Sequence, residues 1–292
     1  MEEDNFNPLT VGKSSNTIEN LSKDSIHQIC SGQVIINLSS IIKELMENAM
    51  DAGATKIIVE LNQSGKESLM VKDNGMGIAE KNYSLITKKY FTSKLRKFTD
   101  LEKMQTYGFR GEALSSICAM GNVQIYTKTK DEECSNELHF NSSGELVSSI
   151  KLDSKNKNSI NFKNGSTILV DKIFQSLPVR RHQYEKNISR EFAHLIQLMH
   201  SYALVCPSVS FSLFNVSQKR KKVFETTGNG SLLQNISDIF GSTDSTNLVS
   251  CQLQMSENFS YFFFFKLIFF FFLKSYLKNI FDKRAKGFIT KV

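Results

Sequence analysis

Residues 43–54, KELMENAMDAGA, place Glu44, Glu47, Asn48 and Asp51 in a stretch whose other positions are mostly apolar or small. At about 100° per residue, Glu44, Asn48 and Asp51 fall within about 60° of one another. They border an apolar stripe of Leu38, Ile42, Leu45 and Ala49. A carboxylate and a carboxamide so spaced can divide two tasks. Glu44 can orient and deprotonate a water molecule, while Asn48 offers an oxygen to Mg²⁺ without adding charge. A solvated polar face is the competing reading of this helix taken by itself.

Magnesium implies phosphate, and three further stretches suit a nucleotide. In DNGMGI, residues 73–78, Asp73 closes a β-rich run. Its carboxylate, held in place by a strand, can accept the exocyclic amine of adenine, whereas guanine offers an oxygen there and is repelled. Gly75 and Gly77 let the backbone approach a flat ligand; alone, the motif reads as a tight turn. GFRGEAL, residues 108–114, sets Gly108 and Gly111 ahead of a helix whose first amides are free for phosphate. It is not a P-loop, because Gly-x-x-x-x-Gly-Lys-Ser/Thr is absent, as is Gly-x-Gly-x-x-Gly. NGST, residues 164–167, opens a strand and is the least specific of the set.

The elements that must position these residues follow from periodicity. Apolar residues recur at three and four from Leu38 to Ala49, with Asn37 or Ser39 as cap and Gly53 as stop, which predicts one helix. TKIIVEL and SLMVKD read as two strands about the turn NQSGKE. A helical pattern is expected over residues 80–89, a helix after GFRGEAL, and another over 189–204. NVQIYTKT, NELHFN, STILV and SVSFSLFNV read as strands. Helices mixed with neighbouring strands predict an α/β layer with a mixed sheet.

The chain has 292 residues and 40% apolar content, enough for a packed core. A net charge of +7 suits a polyanionic partner without identifying one. Five scattered cysteines without a Cys-x-x-Cys pair indicate neither a disulfide framework nor a zinc site. The acidic start MEEDNFNPLT lacks the features of a secretory signal, so an intracellular location is expected. Residues 1–22 are expected to be a disordered extension. YFFFFKLIFFFFLKSYLKNIF is Phe-dominated and interrupted by Lys266, so it reads poorly as a membrane span. Runs of Phe and Lys are what adenine- or thymine-rich noncoding DNA yields on translation, and residues 257–292 are read as a gene-model artefact.

Taken in order, the acidic helix, Asp-Asn-Gly-x-Gly, Gly-Phe-Arg-Gly-Glu-Ala-Leu and Gly-Ser-Thr resemble the GHKL ATPases, and specifically the MutL family of mismatch-repair proteins. IHQICSGQVI, TSK, TYGFRGEALSSICA and LPVRR are most similar to its eukaryotic post-meiotic-segregation branch, and the likeness covers residues 24–245. It implies a GHKL (Bergerat) sandwich of a mixed β-sheet with helices on one face over residues 23–227. The start of a truncated second α/β domain would then occupy residues 228–256. Residue by residue, it implies Glu44 as general base, Asn48 as Mg²⁺ ligand and Asp73 as adenine reader, with Asp51, Gly75 and Gly77 in the ATP site. Thr92, Ser93 and Lys94 fall in the ATP lid. Gly108, Gly111, Glu112, Ala113 and Leu114 fall along the phosphates, and Thr167 supplies a hydroxyl near adenine. Arg110 is given a structural role.

ATP and Mg²⁺ are the implied cofactors. A second MutL homologue in a heterodimer, MutS-type mismatch-recognition proteins and double- or single-stranded DNA bound without sequence specificity are the implied partners, in the nucleus and away from membranes. Arg180, Arg181, Lys219, Arg220, Lys221 and Lys222 are the residues offered to DNA phosphates; solvated loop charges are the alternative. Relatives continue into a second domain that contributes a lysine to the γ-phosphate, and some carry an Asp-Gln-His-Ala-type endonuclease motif. Neither is recognisable here, so weak hydrolysis and no nicking are expected. A noncatalytic ATP- or DNA-binding interaction fragment is the alternative reading, and a kinase or chaperone sharing the ATP fold is a more distant one.

Overall fold

The computed structural model describes residues 20–92, 94, 106–108, 111–152 and 164–241. Within them, the helix predicted from the apolar period is α2 (Leu38–Asp51). Asn37 accepts the amide of Ser40, and Ser40 Oγ in turn accepts the amide of Asn37, so two orphan donors are satisfied reciprocally. Its apolar stripe, Leu38, Ile41, Ile42, Leu45 and Met46, is buried. Each such side chain contributes about 1.5–3 kcal/mol by leaving water.

Eight strands form one sheet: β1 (Lys56–Asn62), β2 (Ser68–Asp73), β3 (Asn122–Lys128), β4 (Ser135–Phe140), β5 (Leu146–Leu152), β6 (Gly165–Asp171), β7 (Ser210–Val216) and β8 (Arg220–Glu225). Their order is β5-β4-β3-β6-β2-β1-β7-β8. Every pairing is antiparallel except β1 with β7, so the sheet is mixed as expected. The other helices are α1 (Lys23–Val34), α3 (Ala113–Met120), α4 (Pro178–Lys186), α5 (Ile188–Val205) and α6 (Leu232–Phe240). In the helical layer α1 packs on α3, α2 on α5 and on β1 and β2, and α5 on β7.

Alternation decides which side chains meet those helices. Ile57, Val59 and Leu61 of β1 share a face with Leu69 and Val71 of β2, Ile168 and Val170 of β6, and Val123 and Ile125 of β3, all of them buried. At one end of this face the apolar rows give way to a polar one. Asp73 pairs with Ser166, Ser166 with Thr127 and Thr127 with Asn136 across four adjacent strands. All four are buried. A polar rung inside a core is costly unless its members bond to one another or to a ligand, and it marks where the apolar sandwich ends.

Several elements differ from expectation. Residues 80–89 hold only the short 3₁₀ turn Glu80–Asn82 followed by turns. There the buried Thr87 donates to the carbonyl of Gly144, which ties the segment to the β4–β5 connection rather than letting it coil regularly. The helix α1 was not anticipated, since Ile26 and Ile29 on it are exposed and leave little apolar period. The strand β5 and the helices α4 and α6 were likewise missed. Pro178 opens α4 at a position where its missing amide costs nothing. Among the described residues no helix is long and apolar enough to cross a membrane. Most of the N-terminal extension, the segment from 242 to 256 and the Phe-rich tail lie outside the described residues.

Candidate functional site

A cavity of about 650 Å³ opens between α2, the start of α3 and the loop that follows β2, with Asp73 and Ser166 of the polar rung in its lining. Glu44, Asn48, Asp73, Gly77, Thr92, Lys94, Gly108, Gly111, Glu112, Ala113 and Leu114 all line it. Four separated segments therefore converge on one space. Gly75, Asp51 and Thr167 do not line it, and Ser93 lies outside the described residues. A second cavity of about 730 Å³ lies among α5, α6 and β8 and holds none of the predicted ATP-site residues.

On α2, Lys43 Nζ stands 2.7 Å from Glu47 Oε2 and 3.8 Å from Glu44 Oε1. Glu47 also accepts the Tyr202 hydroxyl of α5. Glu47 is thus engaged by Lys43 and Tyr202, and both Glu44 and Glu47 line the cavity. One turn on, Lys94 Nζ donates to Asn48 Oδ1 at 2.9 Å and pairs with Asp51 Oδ2 at 2.6 Å. Asp51 also accepts the amides of Tyr107 at 2.9 Å and Gly108 at 3.0 Å. It therefore acts as an anchor for the chain that precedes α3.

Across the cavity, Asp73 Oδ1 accepts the amide of Gly75 at 2.8 Å and that of Ser166 at 3.3 Å. Burial dominates over these bonds and pushes the carboxyl up to about 6. Asn74 accepts the amides of Thr55 and Lys56, and Asn164 donates to the carbonyl of Gly75, so the loop is held from both sides. Gly77 has φ +75, and a Cβ there would lie 2.2 Å from the carbonyl oxygen of Lys128, so no other residue fits. Gly75 shapes the turn from behind instead of lining the space. At the far wall, Gly111 (φ +61) accepts the Tyr90 amide just before α3, whose N-cap Glu112 makes no side-chain capping bond. The first amides of α3 are left for an anion.

Thr167, expected to supply a hydroxyl near adenine, does not line the cavity, whereas its neighbour Ser166 does. Thr167 pairs with Lys72 and Tyr126 and points to the opposite face of the sheet, because one residue along a strand reverses the side chain. Ser166 lines the cavity beside Asp73. Thr127, Ile78 and Tyr107 were also missed by sequence reasoning. Only the strand alternation that puts Asp73 and Ser166 on one face, together with the pairing register, could have found the first of them.

The basic residues divide. Arg180 points inward, donating to the carbonyls of Gly32 (3.1 Å), Ile35 and Ile36 (2.7 Å), with its guanidinium 4.3 Å from the Phe174 ring. Arg181 pairs with Glu185 at 2.6 Å and donates to the Ile173 carbonyl. Both are engaged in joining α4 to the rest of the domain. In the β7–β8 hairpin Arg220 pairs with Glu60 at 2.7 Å over the ring of Phe214, and Lys222 pairs with Glu225. Lys219 and Lys221 are exposed. Among the described residues no group of three or more His, Cys, Asp or Glu is placed to hold a metal ion.

Comparison with known proteins agrees with this geometry. The family described as histidine kinase-, DNA gyrase B- and HSP90-like ATPase matches residues 36–167. The chain is 42% identical over 253 residues to DNA mismatch repair protein PMS1 of Arabidopsis thaliana, covering 86% of this chain and 26% of that protein. It is 40% identical over 236 residues to DNA mismatch repair protein pms1 of Schizosaccharomyces pombe, covering 80% of this chain and 29% of that one. The solved structure of the Aquifex aeolicus MutL ATPase domain complexed with ADP superposes with a TM-score of 0.51 at 27% identity, over 71% of this chain and 70% of that one. The chain thus spans little more than a quarter of the length of these curated relatives.

Proposed function

Because this chain belongs to the MutL family of DNA mismatch-repair proteins and carries their GHKL-type ATPase domain, we propose that its cavity binds ATP and hydrolyses it slowly. The observation that carries the reading is the convergence of Glu44, Asn48, Asp73 and the start of α3 on one 650 Å³ space. In this reading the Asp73 carboxylate, held by the amides of Gly75 and Ser166, accepts the amine of adenine. The free amides of α3 hold phosphate oxygens. Glu44 takes a proton from the attacking water. Its neighbour Lys43 lies closer to Glu47, at 2.7 Å, than to Glu44, at 3.8 Å, and Glu44 lines the cavity.

Asn48 fits Mg²⁺. Its neutral oxygen lines the cavity and already attracts a cation, the Lys94 ammonium at 2.9 Å. Mg²⁺ needs few protein oxygens when phosphate and water supply the rest. Bound there, the ion would offset the charge of the phosphates. Lys94 and Thr92 would then be free to close over the nucleotide as part of a lid running from Tyr90 to Gly111, coupling ATP to assembly with a second MutL homologue. We place the protein in the nucleus, acting with MutS-type proteins on DNA held without sequence preference, with Lys219 and Lys221 of the hairpin as its best-placed phosphate contacts. Residues 23–227 form the ATPase domain in this reading, and 228–256 begin a second one. We assign no strand-nicking step to these residues.

Titration of the chain with ATP, followed by measurement of phosphate release, tests this. Binding with slow release supports it. Binding without release favours a noncatalytic nucleotide-gated module, and absence of binding overturns the reading.

A further inference from the structure

Behind the cavity wall lies a hydroxyl that no part of the reading above uses. Thr127 is fully buried in β3, and its cross-strand partner Ser166 lines the cavity next to Asp73. Thr127 Oγ1 accepts the amide of Ile78 at 2.8 Å, fastening the loop after Gly77 to the sheet. The same oxygen lies 3.1 Å from Ser166 Oγ and 3.3 Å from the carbonyl of Gly165. A hydroxyl has one proton and two lone pairs. With one lone pair occupied by Ile78, the Thr127 proton has two acceptors in reach, and Ser166 Oγ is the nearer.

We propose that Thr127 is a positioning residue that, by donating to Ser166 Oγ, turns the Ser166 hydroxyl into a donor toward the cavity, beside the carboxylate acceptor of Asp73. The inference rests on the nucleotide reading and deepens it. An acceptor and a donor side by side select a ligand edge that carries a donor next to an acceptor. Adenine has that edge, an exocyclic amine beside an unprotonated N1. Guanine has the reverse, an oxygen beside an N1–H, so both contacts turn unfavourable together. Asp73 alone would reject guanine at a single point, and the hydroxyl pair makes the rejection two-point. Thr127 also holds Ile78, which lines the cavity, so the part of its effect that passes through Ser166 is the part confined to the base edge at N1.

The test compares binding of ATP, GTP and 1-deaza-ATP, in which a C–H replaces N1, to the full chain and to Thr127→Val, Thr127→Ser and Ser166→Ala. Thr127→Val should lower ATP affinity about five- to tenfold, the worth of one hydrogen bond, and leave 1-deaza-ATP nearly unaffected. Thr127→Ser should restore the loss. Equal weakening of ATP and 1-deaza-ATP by Thr127→Val would mean that the residue only packs the wall, and would overturn the proposal. So would a wild-type preference for ATP over GTP that survives Thr127→Val unchanged. Wild-type protein without any ATP binding would instead overturn the nucleotide reading itself. If Thr127→Val fails to fold by circular dichroism, Ser166→Ala carries the same comparison, with the same expected split between the two adenine nucleotides.

Discussion

The ammonium of Lys94 lies 2.6 Å from Oδ2 of Asp51, whose side chain is only 5% exposed. The two carboxylate oxygens of Asp51 thus hold Lys94 from one side and the amides of Tyr107 and Gly108 from the other. One acid ties both ends of the proposed lid to α2.

Replacing that acid should loosen both ends together. Asp51→Ala removes the counter-ion of the partly buried Lys94 ammonium, which keeps its Asn48 contact, and the acceptor of the Tyr107 and Gly108 amides, and should cost about 3 kcal/mol in urea unfolding. Amide exchange at Tyr107 and Gly108 should rise in the same variant. Lys94→Met should spare those two amides, since their acceptor remains; accelerated exchange there would show that the lysine, and not the carboxylate, is the anchor.

Glu44→Ala should leave ATP binding intact and lower turnover by about 10²–10⁴. Single-turnover phosphate release measures it. Turnover unchanged from wild type would move the role of base to another group on this wall.

Asp73 should show opposite effects on stability and binding. Burial raises its carboxyl to about 6 from 3.8, so the folded state holds the proton more tightly than the unfolded one. The stability associated with that proton is present below pH 4 and is lost as pH rises through about 6. Asp73→Asn keeps the acceptor for the amides of Gly75 and Ser166 but removes the buried charge. The variant should therefore gain thermal stability over wild type as pH climbs from 4 to 7, with the gap constant above that. Its ATP affinity should fall by about 1.5–3 kcal/mol at pH 7, the scale of a charged hydrogen bond. In the wild type, ATP affinity should drop about tenfold per unit of pH below 6, as the carboxylate is protonated. Calorimetry across this range checks all three.

Arg180→Ala should destabilise the fold by about 1–3 kcal/mol, because a guanidinium serving the part-buried carbonyls of Gly32 and Ile35 and the exposed one of Ile36 is lost. Affinity of the folded fraction for DNA should stay unchanged. Lys219→Ala with Lys221→Ala should do the reverse, weakening DNA binding, most visibly at low salt, with no change in the unfolding midpoint. Fluorescence anisotropy at two salt concentrations separates these outcomes.

The local sequence was enough to find the walls of the site. The period of α2 put Glu44 and Asn48 on one stripe, the end of β2 held Asp73 and the glycines before α3 announced a helix start, because each of these is a short-range consequence of side-chain size and backbone freedom. At NGST it pointed to Thr167, whereas Ser166 is the residue that lines the cavity, since facing in a strand depends on pairing partners far away in the chain. It also read Arg180 as a surface charge, whereas the carbonyls that this residue serves come from α1 and its C-terminal turn, almost 150 residues earlier.

What the amino-acid order determined alone is which groups are present and which local element carries each: an acid and an amide on one helix, a carboxylate on one strand end, free amides at another helix. What only the tertiary structure decided is which of them share a space. The rung Asp73–Ser166–Thr127–Asn136 draws on four strands whose spatial order differs from their order in sequence. The Asp51 anchor joins residues 94 and 107 to a helix that ends long before them. Contacts of that range are set by sheet order and helix packing, because loop closure lets distant segments meet at little extra entropic cost while burial chooses which of them do.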